Sequence, residues 1–170
     1  MSDFGDFLKS KTEQDKRDKE ADINAHNEYL AGIQFVYSQI KSWLSEYKEN
    51  NINIKIVFRK DLIEGETVDC MDIYHYKSKV TTINPKGYKF IGHKAFFDVL
   101  SEGKNITYSI IFTRKHHKIR YLEKYPQGLL GLEEYINKYD YEWQIEGPVN
   151  NSFKDFNKDE FLNILKNMMK

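Results

Sequence analysis

Arg114, Lys115, His116, Lys118 and Arg120 crowd five cationic or protonatable side chains into seven positions. Such a run can contact phosphates, or enter a nucleic-acid groove when it sits at the tip of a β-ribbon. These five residues form the candidate site for a nucleic acid or another polyanion. Lys86, Lys89, Lys94 and Lys104 would extend the patch. The competing reading is a charged loop that simply stays solvated. Tyr108 and Phe112 alternate onto an apolar strand face, so they read as core and not as stacking platforms for bases.

Other reactive residue types are scattered. Neither GxxxxGK[ST] nor GxGxxG occurs, so no nucleotide-binding fingerprint is present. Five histidines include no HxxxH or HxH pair, and no CxxC exists, so the spacing predicts no metal site and no cofactor. His116 and His117 are adjacent, and adjacent strand residues point to opposite faces. Cys70, the single cysteine, reads as a small buried hydrophobe. Asp69 with Asp72, and Glu64 with Glu66, are the acid pairs available to general acid–base chemistry, and Asp72 with His75 is the pair that a dispersed active site would use. Glu46-Tyr47-Lys48 mimics an E-x-K nuclease fragment, but it falls inside a helical pattern where a strand would be needed.

Composition narrows the class. The 170 residues fit one domain, able to bury about 70% of its unfolded surface. With 12 Tyr, 11 Phe and 2 Trp, wholesale disorder is not expected. One cysteine excludes an intrachain disulfide and suits a reducing compartment. The first residues lack the basic and apolar regions of a secretory signal, and no stretch approaches the roughly 20 apolar residues of a membrane span. The expectation is a cytoplasmic protein without a membrane partner. Codons for the abundant Lys, Asn, Ile and Tyr are AT-rich, which suggests a bacterial or phage source. Net charge is zero, yet residues 1–78 carry −4, residues 79–124 carry +7 and residues 125–170 carry −3. A basic middle between acidic flanks marks either a polyanion partner or acidic helices that neutralise a basic sheet within one fold.

The elements that must position these residues follow from periodicity. Residues 9–22 are polar throughout and predict a charged extension, solvated as a helix or frayed. Ile23, His26, Leu30, Ile33, Tyr37, Ile40, Leu44 and Tyr47 then recur at spacings of three and four, with Tyr29, Val36 and Trp43 widening the stripe. That width suits covering a sheet better than a coiled-coil seam. Glu49-Asn50-Asn51 should end the helix, since Asn tolerates a left-handed exit. Strands are predicted at 52–59, 67–76, 80–83, 105–114 and 141–145, with 118–122 as the partner of 105–114 across a tip at 115–117. Ile63-Glu64-Gly65-Glu66 and Asn84-Pro85-Lys86-Gly87 read as turns. Tyr88 and Phe90 begin a further strand, His93–Leu100 suits a short helix slightly better than a bent strand, and 128–138 suits a short helix. Asn157 with Glu160 resembles a capping box for a terminal helix.

The predicted fold class is α+β: a long N-terminal amphipathic helix packed on an antiparallel sheet of about six strands, with a C-terminal helix. A helix gripped by a curved sheet is the first choice, and a small capped barrel the alternative. The domain division is an extension at 1–22 and a single α+β domain at 23–170. The leading functional expectation is a non-enzymatic protein, an inhibitor, immunity or accessory factor, that binds a macromolecular partner, first of all another protein. The alternatives are a nucleic-acid binder using the basic 79–124 region and a small enzyme with a dispersed site.

Overall fold

A computed structural model describes residues 3–90, 92–114, 141–148 and 152–170. Helix α1 spans Asp3–Glu49 without a break. Seven described strands follow: β1 Ile54–Ile63, β2 Glu66–His75, β3 Ser78–Gly87, β4 His93–Ser101, β5 Thr107–Arg114, β6 Tyr141–Glu146 and β7 Phe153–Asp155. Helix α2 closes the order at Lys158–Met169. The strands form one antiparallel sheet in the order β1-β2-β3-β4-β5-β6-β7. β1 and β7 are its two ends, so among the described residues the sheet is open rather than a closed barrel. No helix of the described residues is long and apolar enough to cross a membrane.

The stripe of α1 meets the sheet through its middle. Tyr29, Ile33, Val36, Tyr37, Ile40 and Leu44 are buried, whereas Ile23 and Leu30 stay exposed. Gly32 brings the helix close to Trp143 of β6 and Ala95 of β4. Tyr37 reaches Phe97 and Phe58 and donates its hydroxyl to the Asp69 carbonyl at 2.6 Å. Phe35, off the stripe, stacks on Trp143 with ring centroids 5.4 Å apart. Each buried aliphatic side chain contributes about 1.5–3 kcal/mol. By comparison, the i,i+4 pairs of the extension, such as Lys11–Asp15, give about 0.2–0.5 kcal/mol each. Packing between Tyr29 and Leu44 therefore holds the helix, and residues 3–22 continue it as a solvent-exposed arm.

Local signals end the elements where expected. Asn51 adopts the left-handed conformation (φ 59°), and the Ile52 amide donates back to the Tyr47 carbonyl at 2.9 Å. Glu64 and Gly65 both have positive φ and make the two-residue β1–β2 turn. The Asn157 side chain accepts from the Glu160 amide at 3.0 Å and caps α2. The apolar face of α2 (Phe161, Ile164, Leu165, Met168) lies in the same core as α1 and meets it through Trp43, which contacts Phe156 and Phe161. β2 is buried on both faces from Cys70 to Ile73, in keeping with its place between β1 and β3.

Three local expectations are corrected. His93–Leu100 is strand and not helix: Ala95, Phe97 and Val99 are buried in alternation, and β3 and β5 pair on either side. Ladders on both edges override the local helix preference. Asn84-Pro85-Lys86-Gly87 is no turn, because β3 runs through it with a register shift between Pro85 and Gly87. The β2 ladder ends at the Met71–Ile83 pair, so the missing amide hydrogen of Pro85 removes no bond on that side. Tyr88 and Phe90 begin no strand: they lie in the β3–β4 connection, where Phe90 makes only an isolated bridge to His93. β7 is a strand that the periodicity does not predict. The strand at 118–122, the tip at 115–117 and the helix at 128–138 lie outside the described residues.

Candidate partner-binding surface

The two edges of the sheet differ sharply. β7 is three residues long, a blunt end. β1 is ten residues long, pairs with β2 on one side, and has no strand on the other among the described residues. A long unpaired edge presents a row of backbone donors and acceptors to whatever can reach it.

Exposed apolar side chains gather on and beside this edge. Phe58 is 41% exposed and Leu62 69%; both point to the same face as Ile54 and Ile56. Ile52 (46%) precedes β1, and Tyr76 (65%) sits at the β2–β3 turn, its amide donating to the Asn53 carbonyl at 3.1 Å. Tyr76 also has φ 55°, a conformation that a bulky side chain seldom adopts. Between β1 and the last turns of α1 runs a groove of about 830 Å³. Leu44, Ile54, Ile56 and Phe58 give it apolar walls, and Lys41, Lys48 and Lys55 rim it. Lys41 Nζ lies 5.8 Å from the Phe58 ring centroid. A second apolar patch lies at the far end of the arm, where Phe4, Phe7 and Leu8 are exposed.

The residues nominated from sequence are placed differently. Arg114 ends β5 and is 2% exposed, because it shares strand parity with the inward-facing Tyr108 and Ile110. Both edges of β5 are taken, by β4 and β6. Arg114 is thus not one of the solvent-projecting cations at a hairpin tip that the sequence suggested. Lys115, His116, Lys118 and Arg120 lie outside the described residues. Of the extending lysines, Lys86 faces Asp98 at 3.8 Å, Lys89 faces Asp22 at 3.4 Å and Lys94 faces Glu28 at 3.0 Å. Two of those acids belong to α1, so in these pairs the acidic helix neutralises the basic sheet.

Three of the four acids in the acid pairs are tied structurally, and Glu64 is exposed in the β1–β2 turn. Asp72 accepts from Arg59 Nε at 3.0 Å and from Thr82 Oγ1 at 2.6 Å. Asp69 pairs with Lys60 at 3.0 Å, and Glu66 with His26 at 2.8 Å. Asp72 and His75 are three residues apart on β2, so they project to opposite faces and share no site. Glu46 of the E-x-K fragment is on α1 and pairs with Lys158. Among the described residues no group of three or more His, Cys, Asp or Glu is arranged to hold a metal ion. Burial pushes the Cys70 thiol above its ordinary pKa, with Arg59 opposing, so this sulfur is a poor nucleophile. Burial likewise raises the hydroxyls of Tyr37 and Tyr29 well beyond their usual range, and that of Tyr141 to about 12. All three phenols stay neutral at physiological pH.

No protein-family model, curated protein or solved structure matches this chain.

Proposed function

We propose that this chain is a non-enzymatic binding protein that acts by occupying a macromolecular partner, in the manner of an inhibitor, an immunity factor or an accessory protein of a bacterium or mobile element. The observation that supports this reading is the row of exposed Ile52, Phe58 and Leu62 along the one long open edge of the described sheet, with Tyr76 exposed at its Ile52 end. Exposed apolar side chains scattered singly need no explanation, but a cluster of aromatic and aliphatic groups rimmed by charge is the pattern of an interface. The described titratable groups, by contrast, are dispersed over both sheet faces or tied into ion pairs, which favours binding over catalysis. The pairing of Lys86, Lys89 and Lys94 with carboxylates, and the burial of Arg114, favour a protein over a nucleic acid as the partner.

Site-specific photo-crosslinking in cells of the source organism tests this. A benzophenone side chain is placed at Phe58, at Phe7 of the arm, and at the exposed Glu102 as a control. The reading predicts an adduct of discrete mass from Phe58 and none from Glu102. No adduct from either Phe58 or Phe7 contradicts it. Labelled DNA and RNA are titrated in parallel at about 50 and 200 mM salt, where phosphate-dominated binding separates; salt-sensitive micromolar binding would put nucleic acid first.

A further inference from the structure

We infer that the groove between α1 and β1 receives an acidic, extended polypeptide segment of the partner, which adds to the sheet as a strand against β1. This rests on the reading that the protein acts by binding a partner, and names the chemistry of what is bound. Backbone edges are best matched by another backbone; the outward amides of Ile54 and Leu62 are tied locally to Ile52 and Asp61 oxygens, so the middle of the ten-residue strand, from Ile56 to Lys60, is where a polypeptide would supply the missing ladder. Its alternate side chains would then fall into the groove against Leu44, Ile54, Ile56 and Phe58.

Charge fixes the sign of the occupant. No Asp or Glu lines the groove, whereas three lysines do. Lys41, Lys48 and Lys55 make no ion pair among the described residues. The neighbouring Arg59 and Lys60 are already committed, Arg59 to Asp61 and Asp72 and Lys60 to Asp69. Three cations outside any described ion pair, one of them (Lys41) already over the Phe58 ring, rim an apolar floor and complement a segment in which acidic and apolar residues alternate. A second copy of this chain pairing β1 on β1 is disfavoured, because it would bring the groove lysines of both copies together with no acid lining either groove. A single-stranded nucleic acid would find phosphate partners but only one aromatic wall, Phe58, among aliphatic ones, and no succession of rings on which bases stack.

Selection of random linear peptides displayed against the full chain tests the inference. The expected winners carry net negative charge with apolar residues at alternate positions. Their affinity should fall about tenfold or more for a Lys48→Glu, Lys55→Glu double variant, since both charge contacts become repulsive. Both lysines are exposed, and unchanged circular dichroism confirms that the variant folds. N-methylation of alternate peptide amides should abolish binding, and amide shifts on binding should fall on Ile54–Ile63. Failure to enrich any peptide, winners that are neutral or basic, or affinity that survives both changes overturns the inference. So does displacement of the winners by a single-stranded oligonucleotide, or a dimer by light scattering that shields β1. Winners whose shifts map to Phe4–Leu8 overturn this inference yet leave a partner-binding protein, whereas the photo-crosslinking result decides that broader reading independently.

Discussion

The guanidinium of Arg114 occupies the space that a side chain on residue 92 would need: a Cβ built on Gly92 would lie 1.7 Å from Nη1. The contact is reinforced through the backbone, because the Thr113 hydroxyl donates to the Gly92 carbonyl at 3.0 Å and the Arg114 amide to the same oxygen at 3.4 Å. Gly92 also has φ +80°. Gly92→Ala should therefore lower stability by about 1–3 kcal/mol, through backbone strain and a displaced arginine. Thermal unfolding monitored by circular dichroism checks this; an unchanged midpoint would show that Arg114 is not held against Gly92.

Cys70 is fully buried, and burial raises its thiol pKa. The native chain should then react very slowly with a thiol reagent such as dithionitrobenzoate. The rate should rise in parallel with the unfolded fraction as denaturant is added. Fast stoichiometric labelling of the native protein contradicts the placement of this sulfur.

Asp98 on β4 has its pKa raised, chiefly by burial, with Lys86 pulling the other way. A carboxyl held above its ordinary value binds more protons in the folded than in the unfolded chain. Its contribution therefore becomes unfavourable as pH rises from the ordinary aspartate range through its raised value. Asp98→Asn should be more stable than the parent at neutral pH, and the difference should close below the ordinary aspartate pKa. Urea melts across that window read the sign, and a less stable variant at neutral pH would mean that the 3.8 Å Lys86 contact outweighs burial.

Tyr76 keeps a left-handed backbone and an exposed ring that contacts His75 at 4.7 Å. Glycine relieves the strain of that conformation and gives back part of the gain as unfolded-state entropy, so Tyr76→Gly should raise stability by about 0.5–1 kcal/mol. A denaturant midpoint that moves down instead would show that the ring contributes more to the fold than its exposure implies.

What the sequence made legible was local. The three-and-four spacing from Tyr29 to Leu44, the Asn51 exit, the Glu64-Gly65 turn and the Asn157–Glu160 cap each involve neighbours within a few positions, and each appears in the structure. Ile23 continues the same period but remains exposed, because periodicity does not say where a sheet ends. His93–Leu100 misled because its strand character comes from β3 and β5, neither of which is local. Pro85 misled because a proline signals a turn unless the neighbouring ladder has already ended. A usable signal was present for Arg114: it shares parity with Ile106, Tyr108, Ile110 and Phe112, so the alternation that read those as core also assigned it inward. The β1 groove had no comparable signal. Its lysines come from α1 and β1, and their convergence depends on β1 being an edge strand, which no alternation pattern reveals.

The most direct measurement is amide hydrogen exchange by NMR along Ile54–Ile63 in the free, dilute protein. An open edge predicts two interleaved populations: amides directed at β2 protected close to the global stability, and the outward amides of Ile56, Phe58 and Lys60 exchanging orders of magnitude faster, with those of Ile54 and Leu62 set apart by their local bonds to Ile52 and Asp61 oxygens. Uniform protection along β1 would mean that the edge is already covered in the free protein, and would contradict the account of β1 as the surface offered to a partner.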